Sequence, residues 1–187
     1  MILEAAIRVI ARRGVRGLRV GELSAEAGVS TALIYYHFGD RAGLLRRTLE
    51  FVNDRARRYT DDSSKGEPRA ALEHALMLEL QDVPPGRENS IAWGELRASA
   101  IFEPDLQEQM RTSTRQWIND IAELVERTQS GPVTAVDLDP MDTTERLTAL
   151  VEGLSERWLS GSITLERARD LLRGAIAAEL GEALRTS

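Results

Sequence analysis

The stretch Leu23-Ser24-Ala25-Glu26-Ala27-Gly28-Val29-Ser30-Thr31-Ala32-Leu33-Ile34-Tyr35-Tyr36-His37-Phe38 constrains this chain more than any other, because it encodes two short helices and the tight turn between them. Leu23 and Ala27 are apolar at helical spacing, and Gly28 follows where a left-handed residue ends a helix at little cost. Val29 plugs the turn, and Ser30 offers a side-chain oxygen to the free N–H groups of a new helix. On that second helix Leu33, Ile34 and Phe38 can pack inward, which leaves Ser30, Thr31, Tyr35, Tyr36 and His37 outward. Two such helices form a helix-turn-helix. The second lies in the major groove of DNA, with its first residues at base edges and its flanks on phosphates.

The net charge of −6 argues against a nucleic-acid partner until its distribution is considered. Residues 1–59 carry eleven arginines against six acids, a surplus of +5, whereas residues 60–187 carry −11. The positive part coincides with the helix-turn-helix, as phosphate binding requires. Helical periodicity runs through the whole chain, and the expected fold is all-α with about nine helices. The first helix, with Leu3, Ala6, Ile7 and Ile10 on its buried stripe, ends at Gly14. A fourth starts at a capping Asp40 and runs to about Tyr59 with Leu45, Leu49, Val52 and Ala56 on one face. The polar run from Thr60 to Glu67 reads as a connection, which divides the chain into a DNA-binding domain (1–59, motif about 19–38) and a second domain (60–187).

In the second domain Pro68 opens a helix that breaks at Pro84-Pro85-Gly86, another runs from about Asn89 to Phe102, and Pro104 opens a longer one ending near Ser130. A loop is expected over Val133–Pro140, then a helix with Asp142 and Glu145 as a capping box, then a last helix capped by Thr164.

The residues Ala27 to Ser30, Leu33 to Phe38, Arg41, Leu44 and Leu45 resemble the signature of the TetR-type transcriptional regulators, and the likeness extends back through Gly14 to the first helix. Arg19 departs from it, standing where the family usually has a Thr that caps the first motif helix. The exchange removes a cap worth about 1 kcal/mol and places a charge beside the phosphate track. The resemblance implies a ligand-responsive regulator, most simply a repressor, that binds a palindromic operator in double-stranded DNA as a homodimer. The DNA contacts expected are Arg19, Ser30, Thr31, Ala32, Tyr35, Tyr36, His37 and Arg41. Of these Ser30, Thr31, Ala32 and Tyr35 would read bases, and Tyr36, His37 and Arg41 would hold phosphates. More loosely, Ala92-Trp93, Ala98-Ser99-Ala100, Pro104, the run Ala149 to Leu154 and Leu159-Ser160-Gly161 resemble the subgroup of choline-responsive repressors of betaine synthesis. These are packing and turn residues and imply a shared architecture.

For a small-molecule effector the candidates are Met77, Trp93, Leu96, Phe102, Met110 and Trp117, although for each of them core filling is the more ordinary use. A cationic ligand would suit the aromatic faces together with Glu79, Glu95 or Asp120. The last two helices form a hairpin whose stripe of Leu147, Leu150, Val151, Leu154, Trp158, Leu172, Ala175 and Ile176 can pair with its own copy as a four-helix bundle. The same stripe can instead pack within the subunit, and periodicity does not separate the two.

An enzyme has little to work with. The chain has no cysteine and two histidines, His37 assigned to DNA and His74 without a second His nearby, and no glycine-rich phosphate loop follows a strand. Neither metal nor cofactor is expected. No apolar run reaches the roughly 20 residues that cross a bilayer, so the expectation is a cytoplasmic protein without a membrane partner. The competing reading is a ligand-sensing all-α protein that acts as an activator or has no DNA binding, for which loss of salt-dependent DNA association would be the sign.

Overall fold

In a computed structural model the chain is described over residues 1–63, 67–130 and 139–181, those at 56 and 58–63 by backbone alone. Among the described residues there are nine helices and no strand: α1 (Ile2–Gly17), α2 (Val20–Ala27), α3 (Thr31–Phe38), α4 (Arg41–Ser63), α5 (Pro68–Met77), α6 (Pro84–Ala100), α7 (Pro104–Gln129), α8 (Pro140–Leu159) and α9 (Leu165–Leu180).

Several ends follow local rules. Ser30 Oγ accepts the Leu33 N–H (3.2 Å) at the start of α3, Asp40 Oδ1 accepts the Gly43 N–H (2.7 Å) at the start of α4, and Thr164 Oγ1 accepts the Arg167 N–H (3.1 Å) in α9. Three expectations are corrected. Thr60–Ser63 continue α4, because helical packing upstream outweighs the weak propensity of a short polar run. Pro84 and Pro85 open α6, where a missing N–H costs nothing in the first turn. Asp139, and not Asp142, caps α8: its Oδ1 accepts from the amides of Met141 (2.8 Å) and Asp142 (3.4 Å), with Pro140 in the first turn. Most of the loop expected over Val133–Pro140 lies outside the described residues.

The chain forms two compact units, Met1–Ala56 with Arg87–Arg115, and Arg57–Gly86 with Gln116–Ser187. A division at residue 59 therefore does not coincide with the packing. In the first unit Ala92, Leu96 and Ala100 of α6 and Leu106 and Met110 of α7 are buried with Ile7, Ile10, Leu23, Ile34, Leu44 and Leu49. Apolar area is buried wherever partners are found in space, and chain order does not restrict it.

In the second unit α5, the latter part of α7, α8 and α9 surround Leu72, Leu76, Ile121, Val125, Leu147, Val151, Leu154, Leu172 and Ile176. Arg169 donates from Nε (2.9 Å) and Nη2 (2.7 Å) to the Leu80 carbonyl, and Arg69 Nη1 donates to the Leu180 carbonyl (3.3 Å), which ties α5 and its following turn to α9. No described helix is long and apolar enough to cross a membrane.

Candidate nucleic-acid interface

The first unit presents α3 on a rigid support. Gly28, at φ +67°, ends α2, and Val29 packs against the core as the turn passes into α3. Only Ile34 of α3 is fully buried, with Phe38 packed beside it one turn later. The opposite surface carries Thr31, Ala32, Tyr35, Tyr36 and His37, all exposed. Tyr35 is 52% and Tyr36 83% accessible, and the Tyr36 and His37 rings meet edge to face with centroids 5.3 Å apart. Leu33 was expected inward but is 39% exposed. A helix of two turns has room for one inward stripe, and Ile34 and Phe38 occupy it. Leu33 thus joins the outward face next to Ala32, where apolar character alone placed it in the core.

The eight expected contacts do not stand alike. Ser30 is engaged as the α3 cap, although its hydroxyl hydrogen remains available. Arg19 is the N-cap residue of α2 with no side-chain cap bond, as its departure from Thr implies, and its exposed guanidinium has no partner among the described residues. Arg41 is drawn into the unit's own framework: Nη2 donates to the Val15 carbonyl (2.9 Å), and Nη1 lies 3.5 Å from Glu103 Oε1. A phosphate contact by Arg41 would compete with the Glu103 pair.

Ahead of the junction with α2 that carries this interface, α1 is kinked at Gly14, at φ +70° and ψ 170°, a conformation open essentially to glycine alone, so the helix expected to end there breaks and then resumes to Gly17. There the Val15 N–H donates to Glu95 Oε2 of α6 (2.9 Å), and a Cβ on Gly14 would stand 2.7 Å from that oxygen. Glu26 of α2 accepts from Arg8 Nε (2.7 Å) and Arg12 Nη2 (2.5 Å), and these bonds, that to Arg8 the larger cause, hold its carboxyl below the usual range.

The expected effector residues are not brought together within either unit. Trp93, Leu96 and Met110 pack in the first core, Met77 and Trp117 in the second, and Phe102 is 75% exposed at the α6–α7 turn. The carboxylates separate too. Glu95 is bound to Val15, and Asp120 pairs with Arg57 Nε (2.9 Å) in the second unit. Glu79 follows α5, where removal from water and, secondarily, the nearby Glu152 charge push its carboxyl up to about 7. His74 is exposed, and no cluster of three or more metal-ligating side chains occurs among the described residues.

The eight-residue stripe expected between subunits is largely used inside one. Leu147, Val151, Leu154, Trp158, Leu172 and Ile176 are buried in the second unit's core, and Leu150 and Ala175 are partly buried against it. On the outer faces of α8 and α9 small residues stand among charged ones: Ala149, Gly174 and Ala178 are exposed, and nothing lies within 4 Å of where a Cβ on Gly153 or Gly174 would stand.

Residues 2–48 match the family of bacterial regulatory proteins of the tetR type, and residues 68–181 match the family described as BetI-type transcriptional repressor, C-terminal. The chain belongs to the TetR family, in its BetI group. A crystal structure from Rhodococcus sp., assigned to the TetR-family transcriptional regulators, is 46% identical, with 96% of each chain covered and a TM-score of 0.88. A transcriptional regulator from Saccharomonospora viridis, crystallised in complex with choline, is 26% identical over 97% of this chain and 96% of its own, with a TM-score of 0.85. The HTH-type transcriptional regulator BetI of Burkholderia mallei is 25% identical over 173 residues, 88% of this chain and 82% of the relative. This TetR-family chain is accordingly a ligand-responsive, DNA-binding transcriptional repressor and not an enzyme.

Proposed function

We propose that this protein represses transcription as a homodimer on a near-palindromic operator and leaves it when a small cationic effector binds its C-terminal region. The observation that carries the reading is the outward face of α3, where Thr31, Ala32, Tyr35, Tyr36 and His37 stand exposed on a helix fixed from behind by Ile34 and Phe38. Thr31, Ala32, Leu33 and Tyr35 read base edges, Ala32 and Leu33 through thymine methyl groups. Tyr36, His37 and Arg19 hold phosphates, with Arg41 added where it gives up Glu103. Two copies place their recognition helices one turn of DNA apart, about 34–36 Å. The copies pair through the small-residue faces of α8 and α9, because the apolar stripe beneath them is already spent on the subunit core.

The choline carried by the Saccharomonospora viridis regulator supports a quaternary-ammonium effector here. Effector action needs only a differential affinity for the DNA-competent and incompetent dimers, and no chemistry.

Genomic fragments selected by the purified protein, followed by binding to the enriched sequence at two salt concentrations, test the reading. The expected result is a short inverted repeat whose affinity falls with a log–log salt slope near −0.9 per phosphate neutralised, is lost in Tyr36→Ala, and weakens on adding choline. Enrichment without an inverted repeat, or binding indifferent to Tyr36, would reject the operator reading. Binding that is unchanged by choline would reject the effector class alone.

A further inference from the structure

Beside the α1–α2 junction the first unit contains an open cleft of about 640 Å³, lined by Arg13, Gly14 and Arg16 on one side and by Glu95, Ala98, Ser99, Phe102 and Glu103 on the other. Its charges are not equally available. Arg13 Nε is paired with Glu22 (2.6 Å), Glu95 accepts the Val15 N–H, and Glu103 faces Arg41. Arg16 is exposed and has no partner among the described residues. The remaining cleft surface is small at Gly14 and Ala98, has a hydroxyl at Ser99, and opens onto the ring of Phe102, 75% exposed beside Ile101 at 71%.

We propose that this cleft binds a planar aromatic carboxylate. A guanidinium without a counter-charge takes a carboxylate through two parallel N–H bonds. A ring held on that carboxylate lies against Phe102 and covers apolar surface that is otherwise in water. Arg16 and Glu95 both lack an ion-pair partner among the described residues, but Glu95 is already engaged by the Val15 N–H, so the group left open to a ligand is the Arg16 guanidinium, which selects an anion. This site is separate from the proposed cationic effector, and its test does not depend on that reading. A ligand here rests on Gly14 and Glu95, the joint from which α2 and α3 are carried.

The full-length protein, titrated with benzoate at millimolar concentration and followed by NMR at Ala98, Ser99 and Phe102, provides the test, with benzyl alcohol as the uncharged control. Saturable shifts confined to the cleft are expected with benzoate, and weaker ones with the alcohol. Arg16→Gln and Phe102→Ala, both at exposed positions outside the core, should each weaken benzoate by about tenfold or more, the loss of a charge-assisted contact or of the stacked ring. Duplex-DNA binding by both variants is measured alongside. The proposal is overturned if no saturable shift appears, if the shifts fall in the second unit, or if benzoate binds both variants as it binds wild type. In that last case, a drop in DNA affinity for Arg16→Gln would assign this guanidinium to phosphate instead.

Discussion

At the scale of single residues, Gly14 and Glu79 show how one atom more or less is felt. Gly14 holds a backbone conformation that L side chains avoid, and an added methyl would also meet Glu95 Oε2. Gly14→Ala should therefore cost about 1–3 kcal/mol of stability, measurable as a lower urea midpoint. Glu79 behaves differently because its cost depends on pH. Its folded-state pKa, about 7, lies above the ordinary value of 4.5, so its contribution is fully present below 4.5 and is lost as pH rises through 7. Glu79→Gln should flatten the stability profile over that window and stabilise the protein at pH 8 by something on the order of 1–3 kcal/mol. Denaturant melts at pH 5 and 8 check this, and an unchanged difference between the two would refute it. Gly14 was legible from sequence as a break in the first helix, though not the helical turn that follows it to Gly17. Glu79 was legible only as a carboxylate, because desolvation depends on neighbours distant in the chain.

At the scale of elements, α3 is decided by its two ends and one inward stripe. The Ser30 hydroxyl oxygen satisfies the Leu33 N–H, so Ser30→Ala should lower stability by about 1 kcal/mol while leaving the base preference of the selected operator largely unchanged. A shifted preference with unchanged stability would make Ser30 a reader first and a cap second. The turn around Gly28 and the Ser30 cap could be read in sequence, since both are local rules between near neighbours. The orientation of Leu33 could not, because it depends on which side chain of a short helix reaches the core first. Similarly, Asp139 displaced the expected cap of α8 because the helix begins at Pro140, three residues earlier than a cap at Asp142 would set.

At the scale of the whole molecule, the apolar stripe of α8 and α9 illustrates the limit of periodicity. Its members fill the subunit's own core, which shifts the proposed dimer contact to the outer faces bearing Ala149, Gly153, Gly174 and Ala178. A Cβ at Gly153 would stand in open space, with nothing within 4 Å, so Gly153→Arg should fold normally yet dissociate the dimer. Light scattering should give the monomer mass, and operator affinity should fall with it because each half-site then binds alone. A dimer that survives this change would place the interface elsewhere.

The helix-turn-helix, the all-α class and the outward display of Tyr35, Tyr36 and His37 were determined by sequence alone, because spacing, capping and turn chemistry act over a few residues. Tertiary structure decided which apolar residues became core, which guanidiniums were left without a counter-charge, and that α6 and the start of α7 pack with the DNA-binding helices. The reason is that burial and ion pairing depend on distance in space. Arg41 and Arg16, alike in sequence, differ because Val15 and Glu103 fold up against one and no described side chain reaches the other.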